Sequence, residues 1–186
     1  MCGIVAIVSR PSSRPTLTAA EVTEALDRAV AAPTLNAAAE ILSELDRLLH
    51  GVPGMLTLVG RHELVAGMAA RLDQLDGRIA DRERELEVGN GSSVKGLSPG
   101  EIEHINAELL TARDAVWALR KDRLLTAKAV GDLAGRDAGA AAIAGYLAIQ
   151  QALSAIDRME VRGRDSAGLH VLVWNHGLDL ADPSVA

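Results

Sequence analysis

The chain has 186 residues, 48% of them hydrophobic, and a formal net charge of −6. That length buries one core, or one domain with an excursion, and an acidic balance without clustered Lys or Arg argues against a nucleic-acid partner. Aromatic residues make up 2% and Phe is absent, so Ala, Leu, Val and Ile must build the core, a composition that favours helix.

Residues Cys2 to Ser9 read as a buried strand, because Ile4, Val5, Ile7 and Val8 are β-branched and the run ends at Ser9-Arg10-Pro11. No basic residue precedes this apolar start, so it is not a signal peptide. No other run is long and charge-free enough to span a bilayer. A cytoplasmic location without a membrane partner is expected. The single cysteine, Cys2, excludes an internal disulfide and agrees with a reducing compartment.

After a turn-rich stretch from Pro11 to Pro15, Thr18-Ala19-Ala20-Glu21 has the pattern of a capping box. A helix follows to about Ala32, with Val22, Leu26, Ala29 and Val30 on one face, and Pro33 stops it. A second helix is predicted from about Asn36 to Leu49, with Ile41, Leu42, Leu45, Leu48 and Leu49 inward and His50-Gly51 closing it. Residues 64 to 86 carry the clearest periodicity. Val65, Met68, Leu72, Leu75, Ile79 and Leu86 fall on three- and four-residue steps between charged flanks, with Arg82 as the exception.

Gly89-Asn90-Gly91-Ser92-Ser93 breaks that pattern, and Ser98-Pro99-Gly100-Glu101 starts a new helix with a second capping box. Its seam runs Ile102, Ile105, Leu109, Ala112, Val116, Leu119, Thr126, Val130 and Leu133, with Arg123 as polar intruder. Two seams and a short polar tip describe an antiparallel helical hairpin over residues 64–133. Gly135-Arg136-Asp137 ends it. Another helix is predicted from Ala138 to Met159, with Ile143, Leu147, Leu153 and Ile156 inward. Leu169 to Trp174 reads as a second strand, turned by Asn175-His176-Gly177.

Two segments carry candidate chemistry. If Met1 is removed, Cys2 presents a thiol and a free α-amine on one residue. The amine has an unperturbed pKa of about 8 and can act as base for its own nucleophile. Alone, Cys2 reads more readily as an ordinary small core residue after a start codon. Arg162-Gly163-Arg164-Asp165-Ser166-Ala167-Gly168 combines charge with glycines that allow close backbone approach. Alone, it reads equally as a helix-to-strand connection. The five histidines lack metal-ligand spacing, and His62-Glu63 lacks a metalloprotease helix's second His. They read as surface or cap residues, and no metal or cofactor is implied. Gly89 to Gly96 lacks the ending of a phosphate loop, and Trp117 and Trp174 read as packing residues.

Together, Met1-Cys2-Gly3-Ile4-Val5 and Arg158-Met159-Glu160-Val161-Arg162-Gly163-Arg164-Asp165-Ser166-Ala167-Gly168-Leu169 resemble the glutaminase domain of class II glutamine amidotransferases. The resemblance is closest to the glucosamine-6-phosphate synthase branch and covers residues 1–9 and 150–174. Val161 and Arg164 depart from it, since the family has Tyr at both.

The resemblance implies a catalytic Cys2 that attacks the carboxamide of L-glutamine, with Arg162 and Gly163 lining the nucleophile pocket. Asp165, Ser166 and Gly168 would shape the turn. It implies a mainly α chain carrying a partial Ntn-hydrolase (αββα-type) element with two antiparallel strands. Residues 1–10 and 138–186 would form the amidotransferase part, and residues 11–137 a helical insertion with the coiled-coil-like hairpin 64–133. The family's oxyanion Asn-Gly pair and its glutamine-gripping segments have no counterpart before Ala186. The chain therefore reads as an N-terminal fragment, with a sugar phosphate acceptor served by a further region. The competing reading is a non-catalytic helical module that mediates interaction or homodimerisation through the hairpin.

Overall fold

The computed structural model describes residues 4–8, 12–88, 98–135, 137–159, 168–174, 177, 179 and 181–182. The chain divides into two units, Val8–Gln150 and Met1–Ile7 with Gln151–Ala186. The first is a helical bundle. Its elements are α1 (Ala19–Ala31), α2 (Leu35–Leu48), α3 (Gly51–Leu58), α4 (His62–Val88), α5 (Pro99–Trp117), a π-helical segment (Ala118–Leu124) and α6 (Leu125–Ala134), followed by the first half of α7 (Ala140–Met159).

Local chemistry starts these helices where the sequence places them. Thr18 Oγ1 accepts the Glu21 N–H at 3.2 Å, and the Glu21 carboxylate accepts the Thr18 N–H at 2.7 Å. Ser98 and Glu101 repeat the arrangement at the start of α5, with Pro99 at the first turn. Each box satisfies backbone donors that have no partner within the helix. Thr34 caps α2 by accepting the Ala37 N–H at 3.1 Å, one residue earlier than the apolar stripe suggests.

Helix ends are closed by arginines from distant elements. Arg78 of α4 donates to the Val30 and Ala32 carbonyls at 2.8 and 2.9 Å, where α1 ends. Arg14, in the leading segment, donates to Arg47 O in the last turn of α2 at 3.0 Å, and also to His50 O in the link to α3. A cation there satisfies orphan carbonyls and sits favourably on the helix dipole.

Four helices form a closed ring: α1 packs on α2 and α4, and α5 packs on the same two. Val22, Leu26, Leu42, Leu45, Met68, Leu72, Leu75, Leu109, Val116 and Leu119 fill its interior. Ion pairs set the sense of α4 against α5: Arg113 meets Glu83, whereas Arg120 meets Asp73 and Asp76. Numbers rise on one helix as they fall on the other, so the hairpin is antiparallel as expected. It is not a self-contained two-helix seam, because α5 also packs extensively on α2. Its tip, residues 89–97, lies outside the described residues.

Three features within this unit go beyond or against expectation. First, His50-Gly51 closes α2 as expected, but no loop follows it. Gly51, at φ +72°, begins α3, whose Met55 and Leu58 are buried. This short, almost wholly apolar helix has no polar face and hence no amphipathic signature. Second, the α5–α6 seam changes register within the π segment, where the Leu125 N–H bonds Arg120 O instead of Lys121 O. The wide turn absorbs one extra residue. Leu124 and Ala127 then enter the core instead of Thr126, while Leu133 and, further up, Ile102 are exposed. Third, Ile143 and Leu147 of α7 are buried as expected, but Leu153 is exposed.

The expected strand pair is absent among the described residues. Residues 4–8 and 168–174 have no strand assignment, and Ile4 and Val8 are 94% and 91% exposed. Val171, Leu172, Val173 and Trp174 are exposed as well. The physical reason is coverage: two short strands alone are marginal in water, and runs apolar on both faces need a layer on each side.

Candidate functional site

The residues singled out for catalysis, Cys2, Arg162 and Gly163, lie outside the described residues, as do Asp165 and Ser166. Gly168 is described. It is exposed, and a Cβ built there meets nothing within 4 Å. Neither space nor a positive φ requires glycine at this position, so the turn role does not follow from the described geometry.

Around this motif, the described backbone supplies two apolar, exposed stretches: residues 4–7 at the N-terminal end and residues 168–174 after the Gly-rich segment. They fall in one compact unit with the last part of α7. The sequence separates them by about 160 residues, and the helical bundle accounts for nearly all of that interval. A large insertion is compatible with closing such a link, because loop-closure entropy grows only slowly with length.

Among the described residues of the chain, no group of His, Cys, Asp and Glu is placed to hold a metal ion. His50, His62, His104 and His170 are exposed, in line with surface histidines. A shallow, open depression runs along the solvent face of α1 from Ala19 to Ala31. Its lining carries Glu24, Asp27 and Arg28, and Asp27 is engaged by Arg71 at 2.6 Å, which holds the carboxyl below its usual value of 3.8. This is a solvated ion pair on a helix face, not a cleft for substrate. No described helix is long and apolar enough to cross a membrane.

Trp117 and Trp174, expected to pack, are 55% and 76% exposed. Trp117 belongs to a surface stripe with Leu110 and Leu125 that helical periodicity alone does not align, because the spacing is seven and then eight residues. Only the extra residue of the π turn brings Leu125 onto the same face. Compared with protein-family models, with curated proteins and with solved structures, the chain matches none.

Proposed function

We propose that this chain is the nucleophile-bearing part of a class II glutamine amidotransferase, similar to glucosamine-6-phosphate synthases and carrying an inserted helical bundle. The observation that supports the reading most is the pairing of two sequence blocks, Met1 to Val5 and Arg158 to Leu169, each of which is weak alone. The division of the chain adds support. Met1–Ile7 and Gln151–Ala186 form one unit, and the intervening Val8–Gln150 forms another with its own core. That is the arrangement an insertion into a catalytic domain would produce. The exposed apolar stretches at 4–8 and 168–174 suit strands that pair and are covered once the remaining layers of an Ntn-hydrolase sandwich are present.

In this mechanism removal of Met1 frees the Cys2 α-amine. The amine takes the thiol proton, and the thiolate attacks the carboxamide carbon of L-glutamine. The C–N bond breaks as the amine returns the proton to the leaving nitrogen, which departs as ammonia. Water then cleaves the glutamyl thioester to give glutamate and restore the thiol. Arg162 and Gly163 would line the pocket. Oxyanion donors, on which such catalysis depends strongly, would come from a further region. A sugar phosphate is the acceptor this branch suggests, and the free Cys2 thiol suits a cytoplasmic setting.

The test is made in the protein that carries this sequence. Cys2→Ser, or a blocked N-terminus, should abolish glutamine-dependent synthesis while synthesis from added ammonia survives. Equal loss of both activities, or unchanged glutamine use, would overturn the reading. A second reading, a helical interaction module without catalysis, is favoured by the bundle's self-contained core. The same experiment separates the two, since a module predicts no effect of Cys2→Ser on any nitrogen transfer.

A further inference from the structure

On the outer surface of α5, the π segment and α6, three large apolar side chains are exposed: Leu110 at 61%, Trp117 at 55% and Leu125 at 55%. Leu110 and Trp117 are seven residues apart and share a face of α5. Leu125 follows eight residues later, and the wide turn absorbs the extra residue. The three therefore form one continuous stripe. Between them lie two exposed charges of opposite sign, Asp114 and Lys121, neither of which has an ion-pair partner among the described residues. Most arginines of the bundle, by contrast, are engaged by carboxylates or helix-end carbonyls.

The order along this face is nearly palindromic about a point between Trp117 and Ala118. Asp114 and Lys121 are equidistant from it, and so are Leu110 and Leu125. A two-fold axis through that point would set two such faces antiparallel, with the two Trp117 side chains flanking the axis, Leu110 against Leu125, and Asp114 against Lys121 twice over. Further out, Glu103 would approach Asp132, whose charge is already held by Lys128 at 2.7 Å. A self-complementary patch of this kind is what an isologous dimer requires. A single helix pair falls short of the roughly 1,200–2,000 Å² of a stable interface, so association should be weak.

The geometry points to a second copy of this chain as the partner of the Leu110–Trp117–Leu125 face, docked antiparallel about Trp117. This contact is independent of the glutaminase reading, and Cys2→Ser should leave it unchanged. Sedimentation equilibrium of the 186-residue chain from about 5 to about 500 µM, under reducing conditions, tests it. A monomer–dimer equilibrium is expected. Trp117→Ala should shift it to monomer. Asp114→Lys, which replaces two attractions by two repulsions, should weaken the dimer about tenfold. Adding Lys121→Asp to that variant should restore it. Circular dichroism establishes that each variant keeps its helices, so that a loss of dimer is not a loss of fold. A chain that stays monomeric over the whole range would overturn the proposal, leaving the stripe to another partner. So would a dimer indifferent to Trp117→Ala and Asp114→Lys, or one that Lys121→Asp fails to restore.

Discussion

Arg123 of the π segment grips Asp46 of α2 across 77 residues of chain. Its Nη2 donates to Oδ2 at 3.0 Å, its Nε lies 2.9 Å from Oδ1, and the Nε proton is directed to the Asp46 carbonyl at 3.3 Å. The two side chains are only 13% and 22% exposed. The widened turn makes this possible. It gives Leu124 the core position that an unbroken helix would assign to Arg123, and turns the guanidinium toward α2. Removing one partner leaves the other partly buried and uncompensated.

Asp46→Ala should therefore destabilise the bundle by about 1–3 kcal/mol, measured by urea unfolding. Arg123→Met should cost less, because it removes the charge while keeping an apolar stem at the site. The double variant should be more stable than the sum of the two single losses. Strict additivity would mean that the pair is not coupled.

Gly54 tests the close approach of α3 to the end of α2. A Cβ at this position would lie 1.7 Å from the Leu49 carbonyl oxygen, an immovable backbone atom. Gly54→Ala should cost on the order of 2–4 kcal/mol or prevent folding. Gly77, in the middle of α4, is the internal control, since nothing lies within 4 Å of a Cβ there. Gly77→Ala should stabilise by about 0.5–1 kcal/mol. Thermal melts of the two variants should move in opposite directions.

Arg78 joins α4 to the end of α1. Its guanidinium reaches three consecutive-turn carbonyls, Ala29, Val30 and Ala32, the first at 3.4 Å. Arg78→Met keeps the aliphatic stem but strands those acceptors, and a loss of about 1–2 kcal/mol is expected. Hydrogen exchange should show faster opening of the last turn of α1. Unchanged exchange there would mean that water replaces the guanidinium without loss.

Acid should weaken the bundle through its caps. Glu21 and Glu101 are each held below their usual value of 4.5, first by the backbone N–H of Thr18 or Ser98 and then by the same residue's hydroxyl. Glu44 is lowered by Arg47, and Asp27 by Arg71. A group with a depressed folded pKa contributes stability that is present above its unfolded value. That contribution is lost as pH falls through the folded value. Urea midpoints should thus drop between about pH 5 and about pH 2. Glu21→Gln with Glu101→Gln should flatten that drop. A pH dependence unaltered by the pair would place the titration elsewhere.

Much of the bundle was legible along the chain because its determinants are local. Thr18-Glu21 and Ser98-Glu101 sit three residues apart and announce helix starts whatever lies around them. Met68, Leu72, Leu75 and Ile79 mark the inner face of α4 by periodicity alone. Gly135 ends α6 where glycine can take a positive φ. The candidate chemistry was equally local, being two short sequence blocks, and rests on their residue identities.

Tertiary structure decided what periodicity could not express. α3 is apolar nearly all round, so its helicity depends on the neighbours that bury it. The register shift at Ala118–Leu124 follows from packing, since an extra residue in the turn costs less than placing Arg123 in an apolar core. Closure of helix ends by Arg14 and Arg78 depends on carbonyls some 33 to 49 residues distant in sequence, and α5 meets α2 only because the ring closes. Residues 4–8 and 168–174 mark the opposite limit. Their β-branched and apolar residues favour extended structure, but a strand exists only when a partner satisfies its backbone and a layer covers its side chains. Neither condition is encoded in so short a run.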